Sequence, residues 1–288
     1  MQAVCQWCEQ ENVSSVHVLF ASDDDVLTSA QQDLMLRHTV QFHWKNEPPT
    51  LAAAQGEAAT AGQPPRYRDF DHFLASLSQD KRKKIRQERR RVADAGVTFR
   101  WSLGADISTA DWDFFYRCYE RTYLEHGNPP YLTRDFFARM AAHMPDAWLL
   151  FVGERDGRPI ASSLIAVGAY ESSATGPNDS DSCSEPGTGL VAYGRYWGAL
   201  ERVDCLHFEA CYYQPLQWCI AHGAVRFEGG AQGEHKMARA LLPVQATSAH
   251  WLAHPAFAEA VQRFLDREGA GVESYLGDLQ ARSPFKAA

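Results

Sequence analysis

Residues 14–20, SSVHVLF, alternate small or polar side chains with apolar ones, and a period of two predicts a strand. LMLRHTVQFHW, residues 34–44, predicts a second strand or a strand pair. Over residues 69–94, Phe70, Phe73, Leu74, Leu77, Ile85 and Val92 recur near helical spacing. One long helix or two consecutive ones are expected there, stopped at Ala95 and Gly96. VTFRWSL, residues 97–103, returns to a strand pattern. Residues 108–127 and 133–144 read as amphipathic helices, opened by Ser108 or Thr109 and by Thr133 as N-caps. Two apolar runs flank the turn RDGRP and predict a hairpin over 147–170. A strand over 189–200, a helix over 205–223 and a strand over 224–230 follow, with Pro215 kinking that helix or marking its start. Residues 255–280 form the terminal helix. This order implies an α+β domain, a mixed central sheet flanked by helices.

Two stretches break the pattern. Residues 47–65 hold four prolines, two glycines and many alanines, the composition of a linker or loop, and set a boundary over 47–66. Residues 171–188 are Ser, Gly, Pro, Asp and Asn without an apolar stripe, so a disordered excursion between strands is expected. Charge is as uneven as composition. Residues 81–91, KRKKIRQERRR, carry +7 in a chain of net charge -8, leaving -15 for the rest, and such a block suits a polyanion such as tRNA. The alternative is a solvated helix face whose Arg and Lys stems cover apolar surface.

No apolar run is long enough to span a bilayer, and the N-terminus lacks the pattern of a secretory leader. A cytoplasmic protein is the resulting expectation. Seven scattered cysteines suit reduced thiols, and the Cys5–Cys8 C-x-x-C pair has no second pair with which to build a zinc site. His207, Glu209 and Cys211 lie two apart on a helix, which does not turn them to one ligand, so no metal is expected. His43 and Trp44 read as packing residues. Ser248 and His250 sit near each other, but nothing resembles a nucleophile elbow, which argues against serine hydrolase chemistry.

The blocks KRKKIRQERRRV, YGRYWG, LHFEACYYQ, AHG, RFEGGAQGEHKMAR, LLPVQATSAHWLAHPAF and SPFK resemble the signature blocks of the FemAB-like family, peptidoglycan biosynthesis or recognition proteins of the GNAT N-acyltransferase superfamily. The resemblance covers most of residues 14–288. It implies a GNAT-like domain over 67–288 and makes residues 1–46 the remnant of a first acyltransferase-like half. Ala240 stands where the family tends to have glycine, and Gly229 where it tends to have proline. The resemblance also implies transfer of an acyl or aminoacyl group to an amine on a small-molecule, peptide-like or cell-wall precursor acceptor. No tightly bound cofactor is implied; the donor would be an acyl-CoA thioester or aminoacyl-tRNA. The alternative is a non-catalytic protein of this fold that recognises a glycan, a peptide or RNA. Oligomeric state is left open.

GNAT-type sheets part between two central strands, here 189–198 and 224–230, with helix 205–222 connecting them. The helix start near His207 would then face a donor pyrophosphate. The preceding loop ALERVD lacks the glycine-rich pattern usual in CoA-using enzymes, and carries Glu201 and Asp204 instead. Gly230 and Gly233 would let the backbone approach the donor closely. Amide formation needs a base for the attacking ammonium. His235 is the candidate, oriented by Glu234 or Glu228, with Lys236 and Arg239 gripping a phosphate or carboxylate. Gln232, Tyr212 and Tyr213 are candidate hydrogen-bonding walls; Tyr193 and Arg195 share one strand face, where Arg195 would grip an anion or pair with Glu228. The competing reading of the whole run is a Gly-rich turn whose charges pair with one another.

Overall fold

A computed structural model describes residues 1–49, 66–171, 188–231 and 233–286. The expected linker therefore lies mostly, and the expected excursion almost wholly, outside the described residues. Among the described residues eight strands, β1 (Ser15–Val18), β2 (Met35–Lys45), β3 (Val97–Leu103), β4 (Trp148–Arg155), β5 (Arg158–Glu171), β6 (Thr188–Ala199), β7 (Arg226–Glu228) and β8 (Leu242–Leu252), form one sheet in the order β1-β8-β2-β7-β6-β5-β4-β3. Every pairing is antiparallel except β6 with β7. A parallel pair needs a crossover, and α7 (residues 206–221) supplies it. That helix is composite: an α-helical turn Leu206–Phe208, a π-helical turn Glu209–Tyr213 and an α-helical run Gln214–Ala221, with Pro215 in the first turn of the last segment.

The remaining helices are α1 (Gln2–Gln10), α2 (Asp23–Ala30), α3 (Phe70–Ser76), α4 (Gln79–Asp94), α5 (Thr109–Glu125), α6 (Arg134–His143) and α8 (Pro255–Gln280). Alternation along β4 sorts them into two layers. Trp148, Leu150 and Val152 join the cluster of Trp112, Phe115, Tyr119 and Phe137 from α5 and α6. Leu149 and Phe151 join Phe73 and Leu74 of α3, Ile85 of α4 and Leu216 of α7 on the opposite face.

Three elements were not anticipated. β8 has small and polar residues with a proline near its start, which reads against a strand, yet it is paired on both sides, by β1 and β2. The signal for α2 was present: Ser22 caps it, its Oγ accepting from the Asp25 amide at 3.2 Å, and three aspartates occupy the first turn. α1 carries Cys5 and Cys8 one turn apart, with Cys8 buried. Residues 1–46, expected as a partial first half, contribute β1 and β2 to the same sheet as the rest.

The tightest crossing is between β6 and α5. A Cβ on Gly198 would stand 2.0 Å from the Cys118 carbonyl oxygen, and Thr122 Oγ1 donates to the Trp197 carbonyl at 3.0 Å beside it. Gly198→Ala is expected to force the helix off the sheet and destabilise by about 2–3 kcal/mol, readable as a lower urea midpoint.

Candidate functional site

β6 and β7 pair over only three positions, Val191 with Arg226, Ala192 with Phe227 and Tyr193 with Glu228. Beyond Glu228 the chain stays with β2: the Gly229 amide donates to the Phe42 carbonyl at 2.8 Å, and the Phe42 amide to the Gly230 carbonyl at 3.1 Å. Among the described residues β6 continues to Ala199 paired only with β5. The sheet therefore parts after Tyr193, as expected. A bulge marks the same place. Ile165 pairs with Gly194 and Leu164 with Tyr196, so Arg195 has no cross-strand partner. Arg195 nonetheless acts on Glu228, the cross-strand partner of Tyr193, pulling its carboxyl pKa down against the effect of burial.

Past the parting, Trp197 on β6 meets α7. Its ring centroid lies 4.9 Å from that of His207, in an edge-on contact. His207 is edge-on to Tyr212 at 5.6 Å and 6.4 Å from the His235 ring. The Tyr212 hydroxyl is 3.2 Å from His235 Nε2. A π-helical turn carries Tyr212, and the wider turn swings consecutive residues to different faces. Tyr212 goes to His235, whereas Tyr213 turns to Glu88 of α4. His235 is reached from solvent, and its pKa lies below the usual imidazole value through partial burial first and then Arg239 and Lys236. It is thus neutral near pH 7 and able to accept a proton.

His207 is more deeply set, and burial, then His235, push its pKa down to about 4. His43 is pushed to about 4 by burial and then Arg226. Both are neutral in the fold, so the stabilisation they retain is complete above about pH 6.5 and is lost as pH falls toward 4, where the unfolded chain binds protons first. Between pH 6.5 and 4.5 the slope from each approaches about 1.4 kcal/mol per unit. Urea midpoints at pH 7 and 5 should fall less steeply for His207→Asn than for the unsubstituted chain.

A second polar group closes the strand ends. Glu228 lies 2.7 Å from Arg226 on its own strand and 3.7 Å from His43, its cross-strand partner on β2. Burial raises its carboxyl pKa against the pull of Arg226 and Arg195. His43, expected to be packing, therefore sits among polar partners, while Trp44 is core at 1% exposure. Only the register of β2 against β7 places His43 there; no local pattern could have indicated it.

The loop that carries His235 is held from beneath. Residues Glu234–Arg239 form a 3-10 helix. Gly233 enters it at φ 98°, and a Cβ there would stand 2.3 Å from the His235 ring. Arg239, 1% exposed, donates to the His235 carbonyl at 2.7 Å, pairs with Glu88 at 2.7 Å and lies 3.7 Å over the Phe208 ring. Tyr213 donates to the same Glu88 carboxylate. Lys236, buried, donates to the Gly229 carbonyl and, at 3.3 Å, to that of Gly230. Arg239, through Nη1 and Nη2, Lys236 and Tyr213 are therefore engaged by protein as positioning groups, a correction to their expected contact with substrate. Glu234 is corrected too: it turns away to Arg282 at 3.0 Å and Tyr275 at 3.2 Å, both near the C-terminus, and does not orient His235. Tyr212 takes that part. Gln232 lies outside the described residues. Gly230, at φ 78°, spends its carbonyl on Lys236. The residue before α7, Cys205, is left-handed at φ 66°, and Glu201 in the loop pairs with Arg155.

The basic block is α4. Ile85, Glu88 and Val92 face the core, and Arg89 is held by Glu209 at 3.0 Å and Gln217 at 3.0 Å. Lys81, Arg82, Lys83, Lys84 and Arg90 make no ion pair among the described residues. A groove of about 760 Å3 runs between α3, α4 and β3, with Arg86, Arg89 and Arg90 on its wall.

A mixed sheet parted beside a parallel pair, with a histidine–tyrosine pair at the opening, defines an α+β domain of GNAT-like acyltransferase architecture. The chain belongs to the FemAB-like family, described as peptidoglycan biosynthesis/recognition, whose model matches residues 1–287. Among solved structures it is similar to L-PGS from Bacillus licheniformis (11% identity, TM-score 0.55, covering 92% of this chain and 76% of that one). It is also similar to the C-terminal domain of a protein described as a lysylphosphatidylglycerol synthetase from Agrobacterium fabrum (11%, 0.51, 89% and 74%). A conserved protein of unknown function from Bacteroides thetaiotaomicron matches at 9% identity, TM-score 0.50, over 86% and 73%. At these identities the likeness is one of fold. No curated protein sequence matches the chain. No helix among the described residues is long and apolar enough to cross a membrane.

Proposed function

We propose that this chain transfers an aminoacyl group from aminoacyl-tRNA to an amine on a peptide-like or cell-wall precursor acceptor. The observation that carries the reading is the Tyr212–His235 hydrogen bond, placed beside the opening between β6 and β7. In the reaction the acceptor nitrogen attacks the ester carbonyl, a C–N bond forms, and the C–O bond to the ribose breaks. His235 takes the proton from the amine, and the phenol of Tyr212 returns one to the leaving oxygen, being reprotonated across its hydrogen bond to His235. Trp197 and His207 wall the site with a neutral aromatic surface.

Two features favour tRNA over coenzyme A. The exposed face of α4 is strongly basic and suits a phosphate backbone. The loop before α7 lacks the glycine-rich turn a diphosphate wants and carries Asp204 there, beside a Glu201 already paired with Arg155. The test is to offer aminoacyl-tRNA and acetyl-CoA separately with an amine acceptor. Acceptor-dependent deacylation of the tRNA, weakened by salt and by the combined Lys83→Glu, Lys84→Glu, Arg90→Glu change, is expected. Use of acetyl-CoA with no effect of those substitutions would move the donor to a thioester. Turnover of neither would leave recognition of a glycan, peptide or RNA without transfer.

A further inference from the structure

At the far edge of the sheet from α5, a cavity of about 560 Å3 lies between the strands β1, β8 and β2 and the first half of α8. It shares no residue with the parting, and nothing in the proposed transfer reaction uses it. Phe257, Phe264 and Leu265 of α8 line one side; Phe257 is 60% and Phe264 52% exposed. Exposed aromatic rings over a concave surface are costly unless something covers them.

The sheet side is polar and ordered. His17 and His250 are cross-strand partners, with Nδ1 2.7 Å from Nδ1. His17 Nε2 is 3.1 Å from Ser15 Oγ, and His250 Nε2 is 2.8 Å from Ser248 Oγ. Four groups are thus joined by three hydrogen bonds. A neutral imidazole carries one N–H, so the chain runs in one direction. If Ser248 donates to His250, His250 to His17 and His17 to Ser15, the Ser15 hydroxyl keeps its hydrogen unspent, and Ser15 lines the cavity. The reverse direction leaves the Ser248 hydrogen, whose acceptor is the Arg37 carbonyl at a long 3.5 Å. Arg37 also lines the cavity. Its Nε and Nη2 donate to Glu268 at 2.9 and 2.8 Å, while Nη1 makes no hydrogen bond among the described residues.

Spare O–H and N–H donors on one side and exposed aromatic rings on the other fit one kind of molecule. We propose that this cavity binds a single-chain hydrocarbon amphiphile ending in a carboxylate, the chain along Phe257, Phe264 and Leu265 and the head at Ser15 and Arg37. The volume is within the range of small-molecule sites, roughly 300–1,000 Å3. An acceptor at Ser15 also selects the first direction of the histidine chain, since only that direction frees its hydrogen.

The test is calorimetric titration of the full chain with dodecanoate, dodecanol and acetate. One saturable site for dodecanoate is expected, with dodecanol at least tenfold weaker and acetate not bound. Arg37→Gln and Ser15→Ala should each weaken dodecanoate at least fivefold and leave dodecanol unchanged; Phe264→Ser should weaken both. Absence of a saturable site, equal affinity for dodecanol, or unchanged dodecanoate binding by Arg37→Gln and Ser15→Ala proteins that melt normally would overturn the proposal. So would a dimer by light scattering that dodecanoate does not dissociate, since a second copy would then be the occupant.

Discussion

His235→Gln is expected to lower the rate of acceptor-dependent aminoacyl transfer by roughly 10²–10⁴-fold, the usual contribution of a positioned general base. Glutamine keeps a polar group within reach of the Tyr212 hydroxyl but cannot take a proton near neutrality. The loop should hold its shape, because its anchors are elsewhere: Arg239 on the His235 carbonyl and Lys236 on the Gly229 and Gly230 carbonyls engage backbone, not the imidazole. The melting temperature should therefore stay close to that of the parent. Tyr212→Phe should also slow transfer, with a smaller loss if solvent can protonate the leaving oxygen. The informative measurement is the pH profile. The parent should lose activity as pH falls through the lowered pKa of His235, and the glutamine variant should lose that limb. A variant retaining both rate and limb would remove His235 from the chemistry and leave Glu228 as the remaining titratable candidate.

Arg239→Met should produce the largest loss of stability of any substitution near the site, about 3–5 kcal/mol. Its guanidinium and the Glu88 carboxylate are almost wholly withdrawn from water, 2% and 8% exposed at their side chains. Removing one partner strands the other charge, which Tyr213 alone cannot satisfy. The double change Glu88→Leu with Arg239→Met should recover much of the loss, since a well-packed apolar pair replaces the ion pair without stranding a charge. Chemical denaturation of the four proteins in this cycle gives the coupling directly. Activity should separate from stability here. The double variant should fold yet transfer slowly, because the guanidinium also fixes the backbone at His235. Full activity in a well-folded double variant would show that the carbonyl needs no such anchor.

Most of the framework was legible because its signals are local. Phe70, Phe73, Leu74 and Ile85 recur at helical spacing and do line one face of α3 and α4, and the apolar runs around RDGRP do form the β4–β5 hairpin. The parting of the sheet also followed from the family resemblance. β8 escaped because its identity as a strand rests on β1 and β2, some two hundred residues away in sequence. Helix α7 read as one helix that Pro215 either kinks or begins, and the π-helical turn that sends Tyr212 and Tyr213 to different partners left no mark in spacing.

The candidate site divides in the same way. Residue types in the run from Glu228 to Arg239 pointed to proton transfer and charge, but types do not say which charges are spent. Lys236, Arg239 and Glu234 looked as available as His235 until packing showed each already engaged. What the amino-acid order determined by itself was the set of elements, the basic helix and the segment where polar groups gather, because these depend on side chains a few positions apart. The tertiary structure alone decided that His235 meets Tyr212, that His43 meets Glu228 and that Glu88 reaches Arg239. Each is a contact between groups distant in the chain, and burial there determines which charges are neutralised and which imidazole is left free to act.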